Sequence, residues 1–172
     1  MSILEIVKYP DPILRDKSIP VDQVDESIRN LASNMLETMY AAPGVGLAAP
    51  QVGISKRMVV IDIANDPQNR NPLIFINPRI TYSEGDAVGE EGCLSIPEGY
   101  GDVHRFRLIK VEFLDLAGRA CEWTAEDFLA RVIQHEVDHL EGILFIDRMS
   151  KIKRDLLKLK LRKRAKLAAR EC

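Results

Sequence analysis

Two histidines separated by three residues are the first feature of this chain that could do chemistry. On a helix, His135 and His139 would project from one face, where both imidazoles can bind one metal ion. Glu136 lies between them, placed to reach a metal-bound water without being a ligand. A divalent metal lowers the pKa of bound water from about 15.7 to roughly 7. The pattern indicates metal-dependent hydrolysis, although two histidines can also meet by chance in a buried helix.

The third protein ligand of such a metal decides the class of enzyme. In the metzincin pattern a histidine stands where this chain has Phe145, which excludes that class. A downstream glutamate ligand has no good counterpart, since Asp155 lies in a basic segment. The remaining candidates are His104, Cys93, Cys121 and Cys172. The small-residue segment 90–97 favours Cys93, although a lone cysteine is more often a small buried hydrophobe.

Short strands are predicted around these residues. Apolar runs indicate strands at 57–63, 73–77 and 108–114, and a partner strand that ends near Trp123. Strands and helices are segregated along the chain instead of alternating. We therefore expect an α+β fold with antiparallel β-sheets packed around a central helix that carries the two histidines, plus a C-terminal helix.

Three helices follow from apolar spacing and capping signals. The first begins after Asp25 as its N-cap and ends before Pro43. The second begins with a cap at Thr124, carries the two histidines and ends at Gly142. The third covers Asp147 onward.

Length and composition limit the class of protein. The 172 residues, 46% hydrophobic and 29% charged, fit one globular domain. The longest apolar runs, such as 58–61, are too short to cross a membrane, so we expect no membrane partner. Three widely spaced cysteines and the lack of a signal or transit pattern predict a cytoplasmic protein without a disulfide framework.

Charge divides the chain into two parts. Residues 150–172 contain ten Lys or Arg and two acids, a net of +8, whereas residues 1–149 contain 14 basic and 24 acidic residues, a net of −10. We expect a single catalytic domain over 1–149 and a basic C-terminal helix or tail over 150–172. The helix would carry Ile152, Leu156 and Leu159 on one face. Its charge favours a polyanionic partner.

Three segments together resemble one family, the peptide deformylases. Residues 44–51, GVGLAAPQ, are similar to its first motif, residues 91–95, EGCLS, to its second, and residues 135–139, HEVDH, to its third. Their order and spacing match, and the similarity runs from the first residues to about Met149. The resemblance implies an α+β fold and removal of the N-terminal formyl group from newly made proteins, with release of formate.

The resemblance also implies the metal ligands. Cys93, His135 and His139 are expected to bind one divalent metal ion, with water as the fourth ligand. A thiolate with two imidazoles accepts Fe(II), Zn(II), Co(II) or Ni(II). The family's physiological metal is usually Fe(II), which is sensitive to oxygen. We therefore expect Fe(II) in the cell, for which Zn(II), Ni(II) or Co(II) can substitute.

Further roles are implied residue by residue. Glu136 becomes the general acid/base, and the side-chain amide of Gln51 and the backbone N–H of Leu94 become the donors that stabilise the tetrahedral oxyanion. Gly46 binds the substrate backbone. Such donors must be preorganised, and losing one typically costs roughly a hundredfold or more in rate.

The methionine side chain of a formyl-Met substrate needs an apolar pocket beside the metal. Val45, Phe128 and Val132 are candidates, although ordinary core packing explains each of them equally well. The substrate-binding residues that we expect are Gly44, Val45, Gly46, Glu91, Tyr100, Phe128 and Val132.

The chain departs from the family pattern at two positions near this pocket. The best-known bacterial members have an arginine shortly after the cysteine motif, where this chain reads EGYG over residues 98–101. Either Tyr100 or Arg105 would then replace that contact. Arg131 stands at a position that is often apolar in relatives, and helical spacing points it at the same region, which predicts a narrower or more polar pocket rim.

The resemblance implies partners as well. These are nascent formyl-Met polypeptides and, through the basic C-terminal helix, the rRNA of the ribosome; DNA is not expected. Two other functions remain as alternatives. One is a metal-dependent endopeptidase built on the same helix, and the other is a binding module with a structural metal. Structural zinc normally has four protein ligands, which counts against the second.

Overall fold

The computed structural model describes residues 2–64 and 66–171, which form three α-helices, seven strands and three short 3-10 helices. The helices are α1 Glu26–Ala41, α2 Asp127–Leu140 and α3 Lys151–Arg170. The strands are β1 Gly46–Ala48, β2 Met58–Ile61, β3 Leu73–Glu84, β4 Ala87–Cys93, β5 Ile96–Arg105, β6 Leu108–Leu114 and β7 Ala120–Glu126. The 3-10 helices are Pro12–Arg15, Ala49–Val52 and Phe145–Arg148.

Five strands form one antiparallel sheet in the order β1-β2-β3-β6-β7. Alternate residues of β2 point to opposite faces, as strand geometry requires. Val59 and Ile61 pack in the cluster that includes α2, and Met58 and Val60 pack in the cluster that includes α1. The sheet therefore lies between two helices, and the α+β prediction with a central helix is confirmed.

The strands β4 and β5 form a separate two-stranded antiparallel sheet, called here the hairpin. Its sequence, rich in glycine and charge, gave no prediction of strands. Small residues are needed there because neighbours approach closely: a Cβ on Gly92 would lie 2.7 Å from the Tyr100 ring, and one on Gly101 would lie 2.3 Å from Met149 Cε. The hairpin ends at Cys93, so this unpredicted element carries a candidate metal ligand.

The start of α2 differs from the sequence prediction. Thr124, predicted as a helix cap, belongs to β7, where it pairs with Lys110 of β6. Tertiary pairing with β6 outweighs the local capping signal here. The chain turns only at Asp127, which has φ of 50°, and the helix then runs to Leu140. The predicted end at Gly142 is confirmed, since this glycine has φ of 72°.

The C-terminal helix also begins later than predicted. Residues 145–148 form a 3-10 turn, and α3 begins at Lys151. The side chain of Leu157 is buried in a cluster that includes Ile96 and Val103 of β5, and Leu161 packs partly buried against the same cluster. The predicted apolar face of Ile152, Leu156 and Leu159 is exposed. These three side chains do not pack on the body, because the helix meets the body through Leu157 and Leu161 instead.

No helix of residues 2–64 and 66–171 is long and apolar enough to cross a membrane.

Candidate active site

The helix α2 places its two histidines side by side. The imidazole centroids of His135 and His139 are 5.0 Å apart, and both rings are buried. Other residues of the helix, Ala130, Ile133 and Leu140, pack in the cluster under the five-stranded sheet. This packing fixes the helix and, with it, the direction of both rings.

Cys93 reaches the histidines from the end of β4. Strand pairing shifts register between Gly92 and Cys93, just before the turn into β5. Cys93 Sγ lies 3.3 Å from His139 Nε2, and one ligand atom from each of Cys93, His135 and His139 lies within 4.8 Å of the others. A thiolate and two imidazole nitrogens so close together suit a divalent metal, whose bonds to them measure about 2.0–2.3 Å.

The other candidate ligands do not meet at this site. His104 has a side chain 70% exposed and pairs with Asp86. Cys121 lies in β7. Cys172 lies outside the described residues. A group of three potential ligands would leave a coordination position for water or substrate on a four-coordinate metal, which is typical of catalytic and not of structural zinc.

Glu91 holds one of the histidines in place. Its Oε2 lies 2.9 Å from His135 Nδ1, and Arg105 donates to both carboxylate oxygens at 2.9 and 3.0 Å. Burial alone would raise the pKa of Glu91, but hydrogen bonds from His135 and Arg105 hold that pKa well below its usual value. The ionised carboxylate accepts from Nδ1 and leaves Nε2 of His135 free to bind metal. Glu91, predicted as a substrate contact, has its carboxylate engaged in this way.

Glu136 lies buried between the histidines and the first strand. Burial raises the pKa of its carboxyl to about 7. Among the described residues its Oε2 has no hydrogen-bond partner, although it is buried. A Cβ on Gly46 would lie 2.5 Å from Glu136 Oε1, so only glycine lets β1 pass this close. A buried, unpaired carboxyl poised near neutral pH suits proton transfer.

Gln51 is presented by the 3-10 helix that follows β1. Its Oε1 accepts from the backbone N–H of Ala48 at 2.9 Å, which orients the amide. Its Nε2 then lies 3.2 Å from Ser95 Oγ and 3.4 Å from Cys93 Sγ. The donor side of the amide therefore faces the candidate metal group. Sequence reasoning missed Ser95, which no motif role had marked.

A cavity of about 520 Å³ opens beside these groups, a volume typical of small-ligand sites. The predicted substrate-binding residues all line it, together with Gln51, Cys93, Leu94, His135 and Glu136: Gly44, Val45, Gly46, Glu91, Tyr100, Phe128 and Val132. The three sequence motifs, distant along the chain, therefore meet at one cavity.

The structure separates the two residues that could replace the family's usual arginine. Arg105 is buried, with its side chain only 3% exposed, and its guanidinium binds Glu91 and Asp138. It does not line the cavity. Tyr100 lines the cavity and is 62% exposed. Of the two, Tyr100 is therefore the one that faces the cavity.

Arg131 also differs from its prediction. It borders the cavity, but its guanidinium donates to Glu91 Oε1 and to the carbonyl oxygens of Ala87 and Val103 in the hairpin. The Arg131 guanidinium, whose charge was expected to polarise the pocket rim, therefore binds acceptors of the hairpin instead. Helical spacing placed the residue correctly, but the acceptors belong to strands that the sequence did not reveal.

Comparison with known proteins decides the family. A family model described as Polypeptide deformylase matches residues 3–155. The peptide deformylase of Alkalilimnicola ehrlichii is 53% identical over 163 residues, which cover 95% of this chain and 91% of that protein. The chain belongs to the peptide deformylase family. The peptide deformylase of Nitrosococcus oceani is 52% identical over 169 residues, covering 98% of this chain and all of that protein.

Solved peptide deformylases share the fold. The crystal structure from Legionella pneumophila is 45% identical and superposes with a TM-score of 0.90, covering 98% of both chains. The structure from Synechococcus elongatus, a complex with actinonin, is 42% identical with a TM-score of 0.88, covering 91% of this chain and 86% of that one.

Family membership gives the reaction. Peptide deformylases are metal-dependent hydrolases that remove the N-terminal formyl group from newly synthesised proteins and release formate, and this chain is one of them. The endopeptidase and the binding module, which the isolated histidine motif left open, are both set aside. The cysteine–histidine group is a possible site for the metal on which the reaction depends.

Proposed function

We propose that Cys93, His135 and His139 bind the catalytic metal and that Glu136 is the general acid/base of deformylation. The observation that carries this proposal is the meeting of a cysteine sulfur and two imidazole nitrogens within 4.8 Å, at a cavity where a buried carboxyl oxygen of Glu136 has no hydrogen-bond partner among the described residues. When bound, a divalent metal activates water at neutral pH and polarises the formyl carbonyl. Glu136 takes the proton of the attacking water and returns it to the leaving amine.

The oxyanion that develops on the formyl group is held by the Gln51 amide and the backbone N–H of Leu94. Support comes from the Ala48 N–H, which fixes Gln51 Oε1 and leaves Nε2 toward Cys93. Leu94 directly follows Cys93, and its carbonyl oxygen is held by Lys8 Nζ at 2.7 Å. Donors fixed before the reaction need no reorganisation as charge develops.

Replacing Gln51 with alanine is expected to lower kcat by about 10²–10³-fold, the usual cost of one oxyanion donor. KM for a formyl-Met peptide should change little, because the interaction strengthens only as charge develops. Steady-state formate release measures both constants. Gln68→Ala, an exposed glutamine in the loop after β2, is the matched control. A change confined to KM would contradict the oxyanion role.

The cavity binds the first residue of the substrate. We place the methionine side chain against Val45, Phe128 and Val132, and the substrate backbone along Gly44 and Gly46, at the entry to β1. A backbone contact from the Glu91 segment completes this subsite. Tyr100, exposed at the rim, then meets the peptide beyond methionine.

The metal in the cell is Fe(II), in this proposal, with Zn(II), Ni(II) or Co(II) as substitutes after purification. Support comes from the ligand chemistry, since one thiolate and two imidazoles accept any of these ions.

Residues 150–172 form a separate functional part, a basic segment that binds ribosomal RNA, while 1–149 carry catalysis. The support is a helix whose exposed positions carry Lys160, Arg162, Lys163 and Lys166, while Leu157 and Leu161 pack on the body. A protein that acts where formylated chains emerge from ribosomes works in the cytoplasm.

Replacing those four basic residues with glutamine, which keeps helix propensity, is expected to abolish ribosome co-sedimentation at low salt. Formate release from a short peptide should stay at the unmodified level. The matched control replaces four exposed basic residues of the body: Lys17, Arg29, Arg79 and Arg119. Undiminished co-sedimentation of the tail variant would refute the ribosome contact.

A further inference from the structure

The candidate metal group is divided between two elements of the fold. Cys93 lies on the hairpin, whereas His135 and His139 lie on α2. In the part of the chain that the structure describes, the two hairpin strands pair with each other and not with the five-stranded sheet against which α2 packs. The separation of the sulfur from the two nitrogens therefore depends on what joins the hairpin to α2.

One polar face of α2 makes that connection. Four residues at helical spacing, Arg131, Gln134, His135 and Asp138, reach the hairpin or the residue that follows it. Gln134 pairs with both the N–H and the carbonyl of Phe106, and Asp138 binds Arg105. His135 binds Glu91.

Of these four residues, Arg131 is the one that donates hydrogen bonds to the backbone of both hairpin strands. Its Nη2 donates to Ala87 O of β4 at 2.7 Å, and its Nη1 donates to Val103 O of β5 at 3.0 Å. The same Nη1 lies 2.9 Å from Glu91 Oε1. Its side chain is only 12% exposed, so these bonds are shielded from water. The planar fork of a guanidinium suits several acceptors at once in a way that an ammonium does not.

The hairpin leaves room for this guanidinium. A Cβ on Gly89 would lie 3.0 Å from Arg131 Cζ and 3.1 Å from its Nε, and Gly89 has no positive φ that would itself require glycine. Gly89 pairs with Val103, whose carbonyl accepts from Arg131. The absence of a side chain at Gly89 therefore provides the space that the Arg131 guanidinium occupies between α2 and the hairpin.

We propose that Arg131 is a positioning residue that joins the hairpin to α2 and thereby sets Cys93 against the two histidines. It acts through the backbone of β4 and β5 and through Glu91, not through the substrate. The inference rests on the proposed metal site and extends it to a residue that is no ligand. Loss of a partner behind the ligands typically costs 10–100-fold in metal affinity or activity.

The test compares four variants: Arg131→Met, Arg131→Lys, Gly89→Ala and the double variant Arg131→Met with Gly89→Ala. Arg107→Met is the matched control, since Arg107 pairs with Asp127 at the start of α2 but is exposed. Arg105 continues to bind Glu91 in all of them, so the buried carboxylate keeps a cation. The readouts are the rate of metal transfer to a chelator, hydrogen exchange of hairpin amides, and kcat and KM separately.

Arg131→Met is expected to release metal at least tenfold faster, to expose hairpin amides to exchange and to lower kcat with KM nearly unchanged. The metal release rate of Arg131→Lys should lie between those of the unmodified protein and Arg131→Met. Lysine keeps the positive charge beside Glu91 but lacks the planar guanidinium that binds several acceptors. Gly89→Ala displaces the guanidinium and should act in the same direction more weakly. The double variant should be no worse than Arg131→Met, because both changes break one connection.

Metal release from Arg131→Met at the rate of the unmodified protein would overturn the inference. If KM also rose in that case, Arg131 would be a substrate contact. Full additivity of the two substitutions would also overturn it. If Arg131→Met does not fold, Gly89→Ala alone decides by the same readouts. The variant Cys93→Ala distinguishes failure of this inference from failure of the proposed metal site. If the metal site itself is wrong, this variant retains as much metal as the unmodified chain.

Discussion

Replacing Glu136 with glutamine or alanine is expected to remove nearly all deformylation, about 10²–10⁴-fold or more in kcat, while the metal stays bound. The carboxyl is buried, its pKa is raised to about 7 by burial, and one of its oxygens has no hydrogen-bond partner among the described residues. Glutamine keeps its shape beside Gly46 but cannot take a proton. Turnover of formyl-Met-Ala-Ser and elemental analysis of the purified variants measure the two effects.

The control for Glu136 is Glu141→Gln, a second glutamate near the end of the same helix that pairs with Arg57 and Lys17 away from the cavity. This control should keep kcat near the unmodified value. A Glu136→Gln variant that turns over normally would remove this residue from the acid/base role. A variant that loses its metal as well would show that Glu136 acts on the site and not on the proton.

Replacing Cys93 with alanine is expected to weaken metal binding by more than 100-fold, beyond the 10–100-fold usual for residues behind the ligands. In the proposed site a cysteine would bind metal as the anionic ligand beside two neutral imidazoles, and Cys93 Sγ lies 3.3 Å from His139 Nε2. Alanine is smaller than the half-buried cysteine, so the fold should persist. Competition with a chelator gives the dissociation constant.

Cys121→Ala is the matched control, because Cys121 is also half-buried but lies in β7. Its metal content and turnover should equal those of the unmodified chain. Undiminished metal content in Cys93→Ala would mean that another residue completes the site. A loss of metal in the Cys121 variant would point to a general effect of cysteine replacement.

The side-by-side placement of the two histidines on α2 could be predicted because a helix repeats locally. Two histidines four residues apart must share a face, whatever the rest of the chain does. Gly142 likewise marks the end of the helix through its own left-handed conformation. Cys93 could only be favoured by composition, and the resemblance of its flanking motif implied its role as a ligand.

The hairpin could not be predicted for a physical reason. Its strands contain glycines and charges in place of alternating apolar residues, and their partners lie across a turn and on a distant helix. The engagement of Glu91 with three cationic or donor groups depends on that folding, so a motif residue expected to touch substrate binds Arg105, Arg131 and His135.

Two differences between the sequence predictions and the helices have a related cause. Thr124 has capping character and is followed by the acids Glu126 and Asp127, yet pairing with β6 keeps Thr124 in a strand. On α3 the spacing of Ile152, Leu156 and Leu159 identified an apolar face, but contact with β5 is made by Leu157. Tertiary contacts, which the local pattern does not contain, decided both cases.

Formate release by anaerobically prepared protein, loaded in turn with Fe(II), Zn(II), Ni(II) or Co(II), tests the central claim most directly. The claim is that Cys93, His135 and His139 hold a metal that, with Glu136, cleaves the formyl amide. We expect one formate for each free amino terminus formed from formyl-Met-Ala-Ser, no release from metal-free protein, and no cleavage of acetyl-Met-Ala-Ser or internal peptide bonds. Undiminished formate release after complete removal of the metal would contradict the claim.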